Sequence, residues 1–347
     1  MASHNRKLRD YDLEIDEEAL AKLIAPVDDL ERALDRLGVW DERSRRELLP
    51  QLERAWHVMR VARVTKKVFG ENVRLAGGSV VNYIILPSHN EMPRFTHDLD
   101  LGWRRPARSK SEVLEEVMSA NARFMEIEEA AKIANRNLYI LKHDVGRDRA
   151  LLPFVIPFRY PVLMRYTGRP FHEYLEIREY EVIRELRRVF KNITGYTNIL
   201  VDEVLVEISF GLEYPETLLD THDVFGYRHN AIITEPEFHV ILKLKPVVER
   251  LREEDILKYL HEYLKLALDL RIARYLDKRK MKGYLEQELR GVNLGEVTWR
   301  LERSLGALKE MGSNYYRGAS YTLIRARKRL DEIIEDTLAI VKDVVDG

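Results

Sequence analysis

Cysteine is absent from the chain, which excludes disulfides, thiolate nucleophiles and cysteine-based zinc sites outright. Glutamine is almost absent as well, occurring only at Gln51 and Gln287. With abundant Glu, Arg and Lys, this usage resembles that of thermophile proteins. No stretch approaches the roughly 20 uninterrupted apolar residues of a membrane span, and the opening Met1-Ala2-Ser3-His4-Asn5-Arg6-Lys7 has no apolar leader core. A cytoplasmic protein without membrane contact is therefore expected. Net charge is lacking too: 57 Lys and Arg stand against 58 Asp and Glu, so any nucleic-acid surface has to be local. Neither common glycine-rich nucleotide signature is present, and no His-Glu-x-x-His ligand set suggests a metal hydrolase.

The 347 residues can bury a substantial core in two or three domains. From about Ile15 to Phe69 apolar positions recur at three and four, with Gly38 and Gly70 as punctuation. Residues 1–70 thus read as an N-terminal helical segment. Residues 71–233 have an α/β (α+β) texture: β-rich runs at Leu99–Trp103, Phe154–Met164 and Val204–Phe210 separated by helical stretches near Ser111–Arg136 and Tyr174–Phe190. Residues 234–347 read as a C-terminal helical domain. Thr234, Pro236 and Glu237 suggest a capped helix start, Pro246 a break or kink, and Gly283 and Gly291–Gly295 loops between later helices.

The informative stretch is Leu75-Ala76-Gly77-Gly78-Ser79, followed by Arg94-Phe95-Thr96-His97-Asp98-Leu99-Asp100-Leu101. In a strand, Asp98 and Asp100 share one face while Leu99 and Leu101 point to the other. Two adjacent carboxylates repel unless a cation intervenes, and hard oxygen ligands suit Mg²⁺ or Mn²⁺. Gly77 and Gly78 stand between a short strand and a helical run, where bare backbone N–H groups and the positive helix end form a phosphate seat. Ser79 adds a hydroxyl donor that could also cap the helix. Singly, the Asp pair reads as a solvated strand edge and the Gly-Gly-Ser as a plain turn; their order and spacing favour a metal and triphosphate site.

These two patches resemble the first motif of the AbiEii nucleotidyltransferase family, the toxin members of toxin–antitoxin pairs within the polymerase-β-like superfamily. The separation between Ser79 and Asp98 is longer than usual there, and Leu86–Pro93 reads as a loop insertion. The resemblance implies a nucleotidyltransferase fold with a mixed sheet, Mg²⁺ or Mn²⁺ as cofactor, an NTP as substrate, a tRNA 3′ end as acceptor and an antitoxin protein as partner. It also implies a third acid on a neighbouring strand. Glu207 is the candidate, as metal ligand and base or as a merely exposed strand residue, with Glu203 and Asp202 in reserve. A Lys followed seven residues later by an Arg matches Lys243 and Arg250, the former as the phosphate-binding cation, and Asp255 matches the first of two acids whose second is Lys258 here.

Two basic clusters are candidates for RNA contact: Arg104 and Arg105 directly after the aspartates, and Tyr321, Arg325, Lys328 and Arg329 on one helical face. A solvated helix face is the alternative for the second. The expected activity is transfer of NMP from NTP to an acceptor. The rivals are the same chemistry on a small molecule or a protein, or a non-catalytic nucleotide-binding partner module, which has no need of two facing carboxylates.

Overall fold

A computed structural model of the protein describes chiefly residues 24–96, 98–104, 149–159, 200–210, 213–249, 260–311 and 330–346, with a few isolated positions outside them. Helices α1 (Val27–Arg36) and α2 (Glu42–Phe69) come first. Asp41 caps α2 by accepting the Ser44 N–H at 2.8 Å, satisfying a donor that the first turn leaves open. Gly38 (φ +64°) and Gly70 (φ +59°) close the two helices in conformations a side chain would resist, as their positions in the sequence imply.

The strands in chain order are β1 (Val73–Ala76), β2 (Asp98–Trp103), β3 (Lys132–Ile133), β4 (Arg136–Asn137), β5 (Asp144–Val145), β6 (Arg149–Phe158), β7 (Leu200–Ser209), β8 (Glu216–His222) and β9 (Arg228–Thr234). Strands β3 and β4 form a ribbon of their own at the end of the stretch near Ser111–Arg136 expected to be helical, and nearly all the rest of that stretch lies outside the described residues. The other seven make a mixed sheet in the order β5-β6-β7-β2-β1-β9-β8, whose five strands from β7 to β8 carry the site and its support. Strand β2 is antiparallel to β1 and parallel to β7, and β1 is parallel to β9. The hairpin of β8 and β9, which the sequence reading did not single out, turns at Gly226 with φ +88°.

Period-two alternation sorts the sheet into two faces. Leu75, Leu99, Leu101, Val204, Val206 and Ile208 are all buried and meet α2, as Phe69 packing edge-on against Trp103 at 5.7 Å illustrates. The other face carries Arg74, Asp98, Asp100 and Glu207 and meets the C-terminal helices. These are α4 (Pro236–Glu249), α5 (Leu260–Leu270) with a 3₁₀ turn at Arg271–Tyr275, α6 (Lys278–Glu288), α7 (Leu294–Met311) and α8 (Leu330–Asp346). One continuous cluster of buried apolar side chains draws on the N-terminal helices, the sheet and the C-terminal helices alike.

Several local expectations are corrected. Thr234 ends β9 instead of capping a helix: Glu235 precedes Pro236, and its carbonyl accepts the His239 N–H at 3.1 Å. Pro246 does not end α4, which runs on to Glu249; the apolar face of Phe238, Val240, Ile241 and Leu244 is buried and offsets the lost backbone bond. Gly283 lies inside α6, not in a loop. Among the described residues no helix is long and apolar enough to cross a membrane.

Candidate active site

Strand β1 runs into a helical segment, α3, that starts at Gly77–Val80, passes through a π turn at Val81–Ile85 and ends at Leu86–Ser88. Ala76 is the residue before its first turn, so Ser79 is not the cap expected of it. Ser79 is instead fully buried, and its hydroxyl has no hydrogen-bond partner. Gly77 has φ +70°, and a Cβ there would lie 1.6 Å from Asp100 Oδ2. The absence of a side chain is therefore what lets Asp100 close on the start of the helix, where the Gly78 N–H donates to it. The sequence reading expects this helix end to seat an anion, and the anion there is the chain's own Asp100 carboxylate.

Asp100 pairs in antiparallel register with Ala76 and in parallel register with Glu207 on β7. Residues in register share a face, so Glu207 joins Asp98 and Asp100 on one side of the sheet. Asp202, six ladder steps from Ile208, falls on the other face, and Glu203 pairs with Val155 four positions from Glu207. Glu207 is the acid in register with Asp100. Asp98 is exposed, while Asp100 and Glu207 are half-buried. Burial, with Asp98 and Glu207 facing it, pushes the Asp100 carboxyl up from 3.8 to about 7, against the opposing pull of Lys243 and the Gly78 N–H. The Thr96 hydroxyl donates to Asp98 Oδ1. Thr96 is itself fixed by the buried Tyr83, whose hydroxyl donates to the Thr96 carbonyl at 2.8 Å and accepts its N–H at 2.9 Å.

A second, buried polar cluster underlies this face. Asp269, on α5 and 1% exposed, accepts from Arg94 Nε at 2.6 Å and Nη2 at 2.8 Å, from Asn82 Nδ2 at 2.7 Å, and pairs with Lys243 Nζ at 2.9 Å. Asn82 in turn donates to the Gly78 carbonyl at 2.8 Å and accepts the Arg94 N–H at 2.8 Å. Burial alone would raise the Asp269 carboxyl, but Arg94 and Lys243 outweigh it and hold it well below the usual carboxylate range. A bidentate Arg–carboxylate pair with every acceptor used is the arrangement that makes a buried charge tolerable. One turn before Lys243, buried His239 is pushed down to about 3, by burial first and by the Lys243 charge second, so it stays neutral.

Lys243 thus stands between Asp269 and Asp100, with its side chain about a quarter exposed. The carboxylate that holds Lys243 is Asp269, which, like Asn82 and Arg94, was not among the expected site residues. Its signal was legible: a lone acid within Leu264-Lys265-Leu266-Ala267-Leu268-Asp269-Leu270 is buried only if paired. The expected loop at Leu86–Pro93 opens with a short helical turn at Leu86–Ser88 and is tied to the C-terminal helices, since Glu91 accepts from Tyr275 Oη at 2.7 Å and pairs with Arg271 at 3.2 Å.

Arg104 does not line this site. It follows the far end of β2, six residues or roughly 20 Å along the strand from Asp98, and its guanidinium bonds Glu216 at 2.7 Å and the Glu71 carbonyl at 2.6 Å. Arg105, Arg250, Asp255, Tyr321, Arg325, Lys328 and Arg329 lie outside the described residues.

A hard divalent ion asks for oxygen donors. Among the described residues no three His, Asp or Glu side chains already converge to hold a metal. Asp98 and Asp100 are nonetheless mutually repelling oxygen donors beside a solvent opening. One or two carboxylates, with substrate phosphates and water completing the shell, is the usual way a protein holds Mg²⁺. The residues fit that mode and not an all-protein cage. No protein-family model and no curated protein matches the chain.

Proposed function

We propose that the protein is a Mg²⁺-dependent nucleotidyltransferase that moves an NMP from an NTP to an acceptor hydroxyl, on a nucleotidyltransferase fold. The observation that carries this reading is the meeting of Asp98, Asp100 and Glu207 on one sheet face beside the Gly77–Gly78 turn and Lys243. A binding module needs no such concentration of like charge, which adds to burial in raising Asp100 to about 7 and costs stability unless a cation is recruited.

Asp98 and Asp100, with Glu207 beside them, would hold the metal, which when bound neutralises the phosphates and polarises the α-phosphoryl group. Lys243, anchored by Asp269, supplies a point charge to the outer phosphates. Gly77, bare of a side chain, lets Asp100 close on the start of α3 and stand beside Asp98. The acceptor oxygen bonds to the α-phosphorus as the bond to the bridging oxygen breaks; pyrophosphate leaves with that electron pair, and we assign the acceptor proton to Glu207. The AbiEii resemblance extends the proposal to a tRNA 3′ end as acceptor and to a toxin that an antitoxin protein restrains.

The test is incubation with each α-³²P-labelled NTP, Mg²⁺ and total RNA. Label is expected in RNA with at least one NTP, and neither Asp98→Asn nor Asp100→Asn should transfer it. Transfer by either variant at the wild-type rate removes the two-aspartate chemistry. Failure of the wild type to label RNA, protein or aminoglycosides with every NTP removes the enzyme reading.

A further inference from the structure

We infer that the outer face of α6 is the surface that holds the phosphate backbone of a nucleic-acid acceptor. This rests on the transferase reading for its choice of partner, but the observations are separate from the catalytic face. Lys278, Arg279 and Lys280 occupy the first turn of α6 with no acid among them, although the helix dipole favours acids there and disfavours cations. At 100° per residue, Arg279, Lys282 and Gly283 form one stripe along a flank of α6, with Lys282 on the side of the buried Leu285 and Leu289, and Arg290 follows the end of the helix at Glu288. Glu286 lies on the same stripe. Among the described residues the side chains of Arg279, Lys282 and Arg290 form no ion pair, whereas Lys278 and Lys280 are held by Asp343 and Glu235.

Gly283 is the second observation. It sits inside the helix, exposed, and among the described residues nothing lies within 4 Å of the position a Cβ would take. A glycine in a helix interior is less stable there than alanine, and no packing inside the protein repays it. A bare strip of backbone flanked by free cations is what close approach by a phosphate chain requires. The helix itself is packed on α4, which carries Lys243. Glu235, which takes Lys280 at 2.7 Å and Tyr284 Oη at 2.5 Å, precedes α4, and Lys243 follows eight residues on, about 12 Å along that helix.

Arg279→Ala/Lys282→Ala/Arg290→Ala should bind total tRNA about a hundredfold more weakly at 0.1 M salt, with the salt slope reduced by about 2 to 3, if each cation holds one phosphate. NTP binding should be unchanged. Gly283→Ala and Gly283→Leu should melt at or slightly above the wild-type temperature, since both are better helix formers, yet bind tRNA more weakly, Leu more so than Ala. Gly306, inside α7 and also with open space over its Cβ position, provides the control: Gly306→Ala should leave tRNA binding as it is. Wild-type affinity and salt slope in the triple variant, or wild-type binding by Gly283→Leu, overturns the inference. So does poly-L-glutamate displacing tRNA from the wild type at equal charge concentration, which would mark the stripe as a site for an acidic polypeptide. The transferase reading fails by a different result, absence of labelling by wild type, while tRNA binding and its loss in the triple variant stay measurable.

Discussion

Replacing Asp100 by Asn should change how stability depends on pH, and the size of the change follows from the site. The carboxyl rises from 3.8 to about 7 on folding, through burial and through Asp98 and Glu207. At 1.36 kcal/mol per pH unit this is about 4 kcal/mol at most, and on the order of 2 to 4 once the charge can relax toward the solvent opening. The group binds its proton more tightly when folded. Its cost is therefore absent below pH 4, where both states are protonated, and accrues between pH 4 and 7, where the unfolded chain ionises first. Above pH 7 it is complete. Asn keeps an acceptor for the Gly78 N–H and never ionises. The stability difference between Asp100→Asn and wild type should thus widen in favour of the variant by about 2 to 4 kcal/mol from pH 4.5 to pH 8, measured by urea unfolding at constant ionic strength. Titrating groups remote from the site cancel in the difference, while relief of Asp98 and Glu207 adds to it in the same direction. Added Mg²⁺ at pH 8 should stabilise wild type and leave the variant unmoved. Parallel pH profiles for the two proteins would refute the account of Asp100.

Gly77→Ala should lower stability and transfer together, because the new methyl needs a left-handed backbone and the space held by Asp100 Oδ2; a cost of about 2 kcal/mol or more is expected, and a variant with wild-type melting and activity would show that the turn rearranges freely. Asp269→Asn leaves the buried Arg94 guanidinium facing a neutral amide and should cost about 3 to 5 kcal/mol by denaturant unfolding; a loss under 1 kcal/mol would mean that Lys243 and water redistribute the charge. Lys243→Ala should weaken NTP binding more than NMP binding by titration calorimetry, since a cation at the outer phosphates has nothing to meet on a monophosphate; equal losses would return Lys243 to a purely structural partnership with Asp269.

Short-range features were legible in the sequence because their causes are local. Period-two alternation placed Asp98 and Asp100 on one face and Leu99 and Leu101 on the other, and glycine at 38 and 70 ended helices where a left-handed residue is needed. The succession of helices, sheet and helices followed from the change in periodicity between segments. Misreadings arose where a local signal met a stronger tertiary one: Thr234 was claimed by the ladder with Glu216, and α4 continued past Pro246 because its apolar face was already buried. What only the tertiary structure decided was partnership over long separations. Glu207 came onto the face of Asp98 and Asp100 through strand register, Lys243 found Asp269 across a helix pair, and Arg104 was carried to the far end of its strand and bound to Glu216. None of these has a sequence period, since a contact between residues far apart in the chain is fixed by the order in which strands and helices pack, and the same residue types would read identically in a fold that kept them apart.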